Sequence, residues 1–176
     1  MFDVLHKKYP VLLPLAIALV LFTAHLGLTQ TNIMEARNLI TAREMVQDGN
    51  WIFTTLNGEP RYEKPPLPTW ITAITGLVAG FDNMFWLRLP AALVGLLLVF
   101  YFFKLAQAMG HSNRQSSYAS VILASSFYIF FSARDNQWDI YCHAFTIIAI
   151  YYLYRSVQTS RYLPALWGAL FLGCSF

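Results

Sequence analysis

The stretch Arg88-Leu-Pro-Ala-Ala-Leu-Val-Gly-Leu-Leu-Leu-Val-Phe-Tyr-Phe-Phe-Lys104 carries no formal charge between its two end bases. A helix needs about 20 mostly apolar residues to cross the hydrocarbon of a bilayer, and terminal Lys or Arg can snorkel to the interface, so this run reads as a membrane helix that borrows its flanks. Windows of the same kind cover 9–35, 114–134, 139–155 and 161–176. The predicted fold is an all-α membrane protein with about five transmembrane helices, and Trp86, Lys104, Tyr154 and Tyr162 fall where interfacial anchors belong.

Composition agrees with that reading. Of 176 residues, 57% are hydrophobic and 12% charged, and mean hydropathy is +0.47, whereas soluble domains carry roughly a quarter charged residues. A soluble domain and a disordered tail are both excluded. The formal charge of +3 comes from bases scattered between apolar runs, which leaves no continuous basic surface for nucleic acid. Cys142 and Cys174 sit inside apolar windows and read as small hydrophobes. The apolar stretch after Lys7 and Lys8 is longer than a signal h-region and lacks a small-x-small cleavage site, so it reads as a retained anchor.

A further apolar stretch, 67–81, is short, opens with Pro65, Pro66 and Pro68, and reads either as a short span or as a re-entrant or interfacial helix. Charge arbitrates. If it does not cross, Lys7, Lys8, Lys104, Arg114, Arg155 and Arg161 share one side with a single acid, Asp3, while the other side holds six bases and eight acids. Crossing would weaken that asymmetry, so the non-crossing topology is preferred, with a cytoplasmic N-terminus and the loop 29–66 on the non-cytoplasmic face. The chain is treated as one membrane domain, 1–176, and its end within the fifth predicted helix reads as a truncation.

The loop 29–66 concentrates charge. Asn32 with Glu35 resembles a capping box, and Ile33, Ala36, Leu39, Ile40, Met45 and Val46 have helical spacing up to Asp48-Gly49, which predicts an amphipathic helix on the membrane surface. The run 51–56, then Asn57-Gly58, then 59–62 predicts a hairpin. Prolines hold Glu63 and Lys64 at the lip of an apolar segment. Each of these charges has a plainer role available: Glu35 as a cap, Arg37 in water, Lys64 as an anchor, Asp139 paired with Arg134. Asp139 and His143 share a helix face, which permits an acid–His pair or a metal pair; His143 and His25 read more readily as interior histidines, and His6 and His111 as surface ones.

The runs Met34-Glu35-Ala36-Arg37-Asn38, Ala42-Arg43-Glu44-Met45, Gly49-Asn50-Trp51, Asn57-Gly58 and Tyr62-Glu63-Lys64-Pro65-Pro66-Leu67-Pro68-Thr69-Trp70 resemble the first outer loop of the protein-mannosyltransferase and lipid A aminoarabinose-transferase superfamily, membrane glycosyltransferases of the C type. Arg134-Asp135-Asn136-Gln137-Trp138-Asp139 is similar to the family's second outer-loop acidic motif. The resemblance implies sugar transfer from a polyprenyl-phosphate donor to a lipid, glycan or protein acceptor at the outer face of the cytoplasmic membrane. It implies Arg37 and Lys64 as donor-phosphate ligands and Glu35 or Asp139 as catalytic carboxylate, with Glu63, Arg134 and Asp135 in support. Related enzymes commonly have Asp then Glu where this chain has Met34 and Glu35. No cofactor is required by this chemistry, and a divalent cation at Glu63 is left open. The alternative is a non-enzymatic polytopic protein that binds lipid headgroups or serves as a transport subunit.

Overall fold

The structure, a computed structural model, describes residues 9–175. Asp3, Lys7 and Lys8, on which part of the charge argument rests, and His6, read as a surface histidine, lie outside the described residues. The described chain forms helices α1 (Leu12–Thr23), α2 (Ile33–Asp48), α3 (Pro66–Ala79), α4 (Met84–Ala108), α5 (Asn113–Ser125), α6 (Phe127–Ser132), α7 (Asp139–Thr159) and α8 (Tyr162–Cys174), with a hairpin of β1 (Thr55–Leu56) and β2 (Glu59–Pro60).

Contacts between distant residues define the two ends of the bundle. Arg88 in the second turn of α4 bonds to the carbonyls of Leu26 and Thr29, which sets the end of α1 beside the start of α4. Arg134, after α6, donates to Leu21 O at 2.7 Å, and Cys142 near the start of α7 donates to Ser175 O. At the opposite end Gln158 reaches Ala108 O. The chain therefore passes five times between the two ends, through α1, α4, the α5–α6 pair, α7 and α8. By length and apolarity α4 alone qualifies as a membrane span, while α1, α3 and α8 are apolar but shorter. Twelve residues of α1 rise only about 18 Å, so irregular flanks extend that pass. Of the residues expected as interfacial anchors, Trp86, Tyr154 and Tyr162 are exposed and Lys104 is half-buried.

Small residues let the passes approach. Ala18 and Phe22 of α1, Ala91 and Leu98 of α4, Ala124 and Ala133, and Ile140, Tyr141 and Ala144 of α7 form the core. A methyl group on Gly95 would lie 2.9 Å from Ala133 Cβ and 3.1 Å from the Phe22 ring, so only hydrogen fits where α1, α4 and the end of α6 meet. The window 114–134 is not one helix. Ser126 turns extended (ψ 136°), and the Ser125 and Ser126 hydroxyls donate to carbonyls of the preceding turn, the competition with main-chain bonding that serines offer.

Between α1 and α4 the loop folds back on the bundle. Asn32 caps α2 by accepting from Glu35 N–H, and Gly49 closes it at φ 73°. The capping box is half formed, because the Glu35 carboxylate turns to Arg88 instead of the Asn32 amide. The inward face of α2 also differs from the expected one: Glu35, Asn38, Thr41, Ala42 and Met45 are buried, and Ile33 is 74% exposed. Buried polar groups on neighbouring segments select that stripe, since each needs a partner. The hairpin turns at Asn57 and Gly58, both at positive φ, and Glu44 accepts from the Asn57 N–H at 2.7 Å.

Helix α3 lies along α2. Ala73 packs with Ala42 and Met45, Trp70 donates to Trp51 O, and Phe81, beyond its end, sits under the Arg43 guanidinium at 5.5 Å. Its start meets α2 through Thr69 and the turn 134–138 through Thr72, and α4 then begins beside Glu35. Both ends of α3 thus lie at one end of the bundle.

Two outcomes are expected. Cysteines placed singly at Asn57 and Asp82, both exposed and flanking α3, in a background without Cys142 and Cys174, should be labelled by a membrane-impermeant maleimide from the same side; labelling from opposite sides would make α3 a crossing helix. Gly95→Val should destabilise the bundle by about 1–3 kcal/mol, read as a lowered thermal midpoint in detergent.

Candidate functional site

The site is built at the end of the bundle where α2, α3, the start of α4 and the turn 134–138 meet. Its fixed point is Arg88, 1% exposed. Arg88 Nε and Nη2 bond to both Glu35 oxygens at 2.7 Å, and Nη1 reaches Leu26 O (2.8 Å), Thr29 O (3.0 Å) and Thr29 Oγ1 (2.6 Å). Asn136 N–H donates to Glu35 Oε1 at 3.1 Å. Glu35 is therefore spent on holding α4 and the turn to α2, and neither oxygen is left without a donor.

A second, uncharged knot lies beside it. Asn38 Nδ2 is within reach of Asn136 O and Oδ1 and of Thr72 Oγ1, while Thr69 Oγ1 donates to Asn38 Oδ1 at 2.9 Å. Thr72 also reaches Asn136 Oδ1 at 2.8 Å. These contacts pin α2, α3 and the turn in register.

Asp135 is 5% exposed; Asn32 Nδ2 donates to its Oδ2, and its Oδ1 has no partner among the described residues. Burial, and then the nearby Glu35 charge, push its carboxyl up from the usual 3.8 to about 6. It borders a cavity of about 280 Å3 with Thr29, Gln30, Glu35, Phe130, Phe131 and Arg134. Arg134 lies over Phe130 at 4.9 Å and donates to Leu21 O, and it forms no ion pair with Asp135 or Asp139.

On the far side of Asn136 a second cavity, about 170 Å3, is lined by Thr41, Ile52, Thr54, Arg61, Tyr62, Lys64, Pro66, Thr69 and Trp138. Arg61 and Lys64 lie over the Trp138 ring at 5.1 and 5.5 Å. Arg61 is 9% exposed and donates to Thr41 Oγ1 and Arg37 O. Burial is the main effect lowering its proton affinity; Glu63 opposes this and Arg37 adds to it. No carboxylate lines this cavity, so two cations face it without a counter-charge inside.

The predicted residues divide. Lys64 lines the second cavity, and Glu35, Arg134 and Asp135 the first. Arg37 and Glu63 are exposed and line neither. Asp139, at the first residue of α7, accepts from Tyr128 OH at 2.9 Å, and Tyr128 also meets the His143 ring edge-on at 5.4 Å, so a tyrosine stands where an acid–His pair was envisaged. Lys64 lies over the ring of Trp138, the residue before Asp139, so the two charges stand at the same rim. His25 is exposed at φ 56°, a turn residue and not an interior one. Among the described residues no three His, Cys, Asp or Glu side chains converge on a point that could hold a metal. Sequence reasoning missed Arg61, Arg88, Asn38, Asn136 and Trp138; the available signal was Arg88 itself, a base inside the apolar part of a helix that needs a buried partner.

An apolar helical bundle whose polar side chains gather at one end, under a returning loop, defines a helical membrane protein. The chain belongs to the dolichyl-phosphate-mannose-protein mannosyltransferase family, whose model matches residues 63–176. It is 29% identical over 145 residues to the undecaprenyl phosphate-alpha-4-amino-4-deoxy-L-arabinose arabinosyl transferase of Pseudomonas savastanoi pv. phaseolicola, covering 80% of this chain and 26% of that protein. With the enzyme of the same name from Shewanella sediminis the identity is 30% over 132 residues, 72% of this chain and 23% of the relative. The fold matches the crystal structure of ArnT from Cupriavidus metallidurans in the apo state with TM-score 0.77 and 21% identity, over 94% of this chain and 31% of that one. The same protein bound to undecaprenyl phosphate matches with TM-score 0.70 and 24% identity, over 82% of this chain and 26% of that one. The chain spans about a quarter of the length of the curated relatives it matches.

Arg88→Met should cost about 3–5 kcal/mol by leaving Glu35 buried and unpaired, and Arg88→Met combined with Glu35→Leu should recover part of that loss in a double-mutant cycle of thermal midpoints. The pH dependence has a definite sign. Because the folded protein holds the Asp135 proton more tightly than the unfolded chain, its contribution is full below about pH 4 and is lost as pH rises through about 6. Thermal midpoints across that range should therefore fall in wild type relative to Asp135→Asn.

Proposed function

We propose that the protein carrying this chain is a membrane glycosyltransferase that takes a sugar from a polyprenyl-phosphate donor at the outer face of the cytoplasmic membrane. The observation that carries this reading is the cavity bearing Arg61 and Lys64 with no carboxylate in its lining, at the rim of an apolar bundle. A lipid phosphate has the charge that this cavity lacks, and its hydrocarbon tail has the bilayer beside it. The names of the arabinosyl transferase relatives, and the undecaprenyl phosphate bound in the Cupriavidus structure, support a polyprenyl-phosphate ligand.

In the proposed reaction the acceptor oxygen forms a bond to the anomeric carbon as the bond from that carbon to the phosphate oxygen breaks. The electron pair leaves with the polyprenyl phosphate. Lys64 and Arg61 stabilise the charge developing there, Lys as a point charge and Arg through its planar fork. Arg37, expected on this phosphate from the motif, is assigned an outer role, since its side chain is exposed and its carbonyl instead supports Arg61. Where the acceptor is a hydroxyl, its proton goes to a carboxylate, for which Asp139 is assigned; an acceptor phosphate would need none. Glu35 acts as the fixed anion that orients Arg88 and the turn. The 176 residues alone are proposed to bind the phosphate but not to turn over.

The test is transfer from a lipid-linked sugar by the protein carrying this chain. Lys64→Ala and Arg61→Ala should each lower kcat/KM about a hundredfold, with Asp139→Asn lowering it for a hydroxyl acceptor. Wild-type rates in correctly inserted variants would remove these assignments, and binding without transfer in wild type would favour the headgroup-binding alternative.

A further inference from the structure

We infer that Trp138 contacts the ligand, its indole N–H donating a hydrogen bond to the anionic oxygen that Arg61 and Lys64 attract. The inference rests on the phosphate reading above and adds a neutral donor to it. Trp138 is 3% exposed, and its Nε1 has no acceptor among the described residues. By contrast, Trp70 is satisfied by Trp51 O at 2.7 Å, and Trp51, Trp86 and Trp167 are less deeply placed. A buried donor left without an acceptor is unfavourable by about as much as a lost hydrogen bond, and Trp138 lines the cavity, so an acceptor brought by a ligand, with a small shift of the side chains that close the N–H to solvent, satisfies it.

The surroundings say what kind of acceptor. Two cations lie over the indole at 5.1 and 5.5 Å. Positive charge over the ring draws electron density toward its face and leaves the N–H more positive, which favours an anionic acceptor over a neutral one. The lining offers the hydroxyls of Thr41, Thr54 and Thr69 and no carboxylate that could compete with the ligand. Rigidity is supplied from behind, since Asn136, two residues earlier, is fully buried and tied to Asn38 and Thr72. The ring is thus held before the ligand arrives, and its donor pays little entropy on binding.

The experiment uses the protein carrying this chain in detergent, with farnesyl phosphate as the anionic probe and farnesol as its neutral counterpart. Trp138→Phe keeps an aromatic face for the two cations and removes only the N–H. It should weaken farnesyl phosphate binding about tenfold and leave farnesol binding unchanged. In wild type the indole 15N–1H resonance that disappears in Trp138→Phe should move downfield with farnesyl phosphate and not with farnesol. Loss of phosphate binding in Lys64→Ala and Arg61→Ala, with wild-type affinity in Trp138→Phe and an unmoved indole resonance, would overturn the inference and leave the phosphate reading intact. Unchanged phosphate binding in all three variants would overturn both. Equal loss of both probes in Trp138→Phe would assign the residue to packing and reject the donor role. Should that variant fail to fold, the wild-type resonance, assigned with single-tryptophan labelling, decides alone.

Discussion

An arginine buried inside the apolar wall of a helix bundle imposes the strictest demand in this molecule. Arg88 brings a full charge and five donors into a region that offers little solvation, and removing it from water is tolerable only where a carboxylate and several carbonyls converge. Glu35 supplies the charge, and Leu26 and Thr29 supply the remaining acceptors. To deliver those groups, α2 must lie across the top of α4 and the end of α1 must unwind toward it. The turn 134–138 then docks through Asn136 onto the same carboxylate. Three segments far apart in the chain are thereby fixed relative to one another by one guanidinium.

That frame separates two spaces with different electrostatics. On one side of Asn136 the carboxyl of Asp135 keeps an oxygen unpartnered among the described residues, in a cavity shared with Glu35 and Arg134; on the other, Arg61 and Lys64 share the face of Trp138. The first space therefore mixes the carboxylates of Glu35 and Asp135 with Arg88 and Arg134, while the second holds cations without an acid. Neutral amides and hydroxyls, which need no counter-ion, form the partition between them.

The elements governed by the bilayer could be read directly from residue type. Charge-free windows marked the five passes, Asn57-Gly58 marked the turn, and Gly49 marked the end of α2, because hydrophobic length and left-handed backbone are local requirements. What could not be read was governed by partners remote in sequence. The inward face of α2 is polar because Arg88, Thr72 and Asn136 need Glu35 and Asn38, and none of that pairing is visible in the 3.6-residue period of α2 itself. The motif at 134–139 pointed to Asp139, with Arg134 and Asp135 in support, whereas the buried members of that segment include Asn136, Gln137 and Trp138 beside Asp135. The break at Ser126 similarly depends on hydroxyls competing for carbonyls, which an apolar window does not register.

Helix α3 leaves and rejoins the bundle at the same end, so everything between the close of α1 and the opening of α4 is a single excursion. Its net contribution to the direction of the chain is zero. With Glu35 kept on Arg88, changes in the hairpin or in α3 alter what is presented at the rim without inverting any later pass. New loop chemistry can therefore be grafted at this position of the chain while the remaining helices keep their up-and-down order.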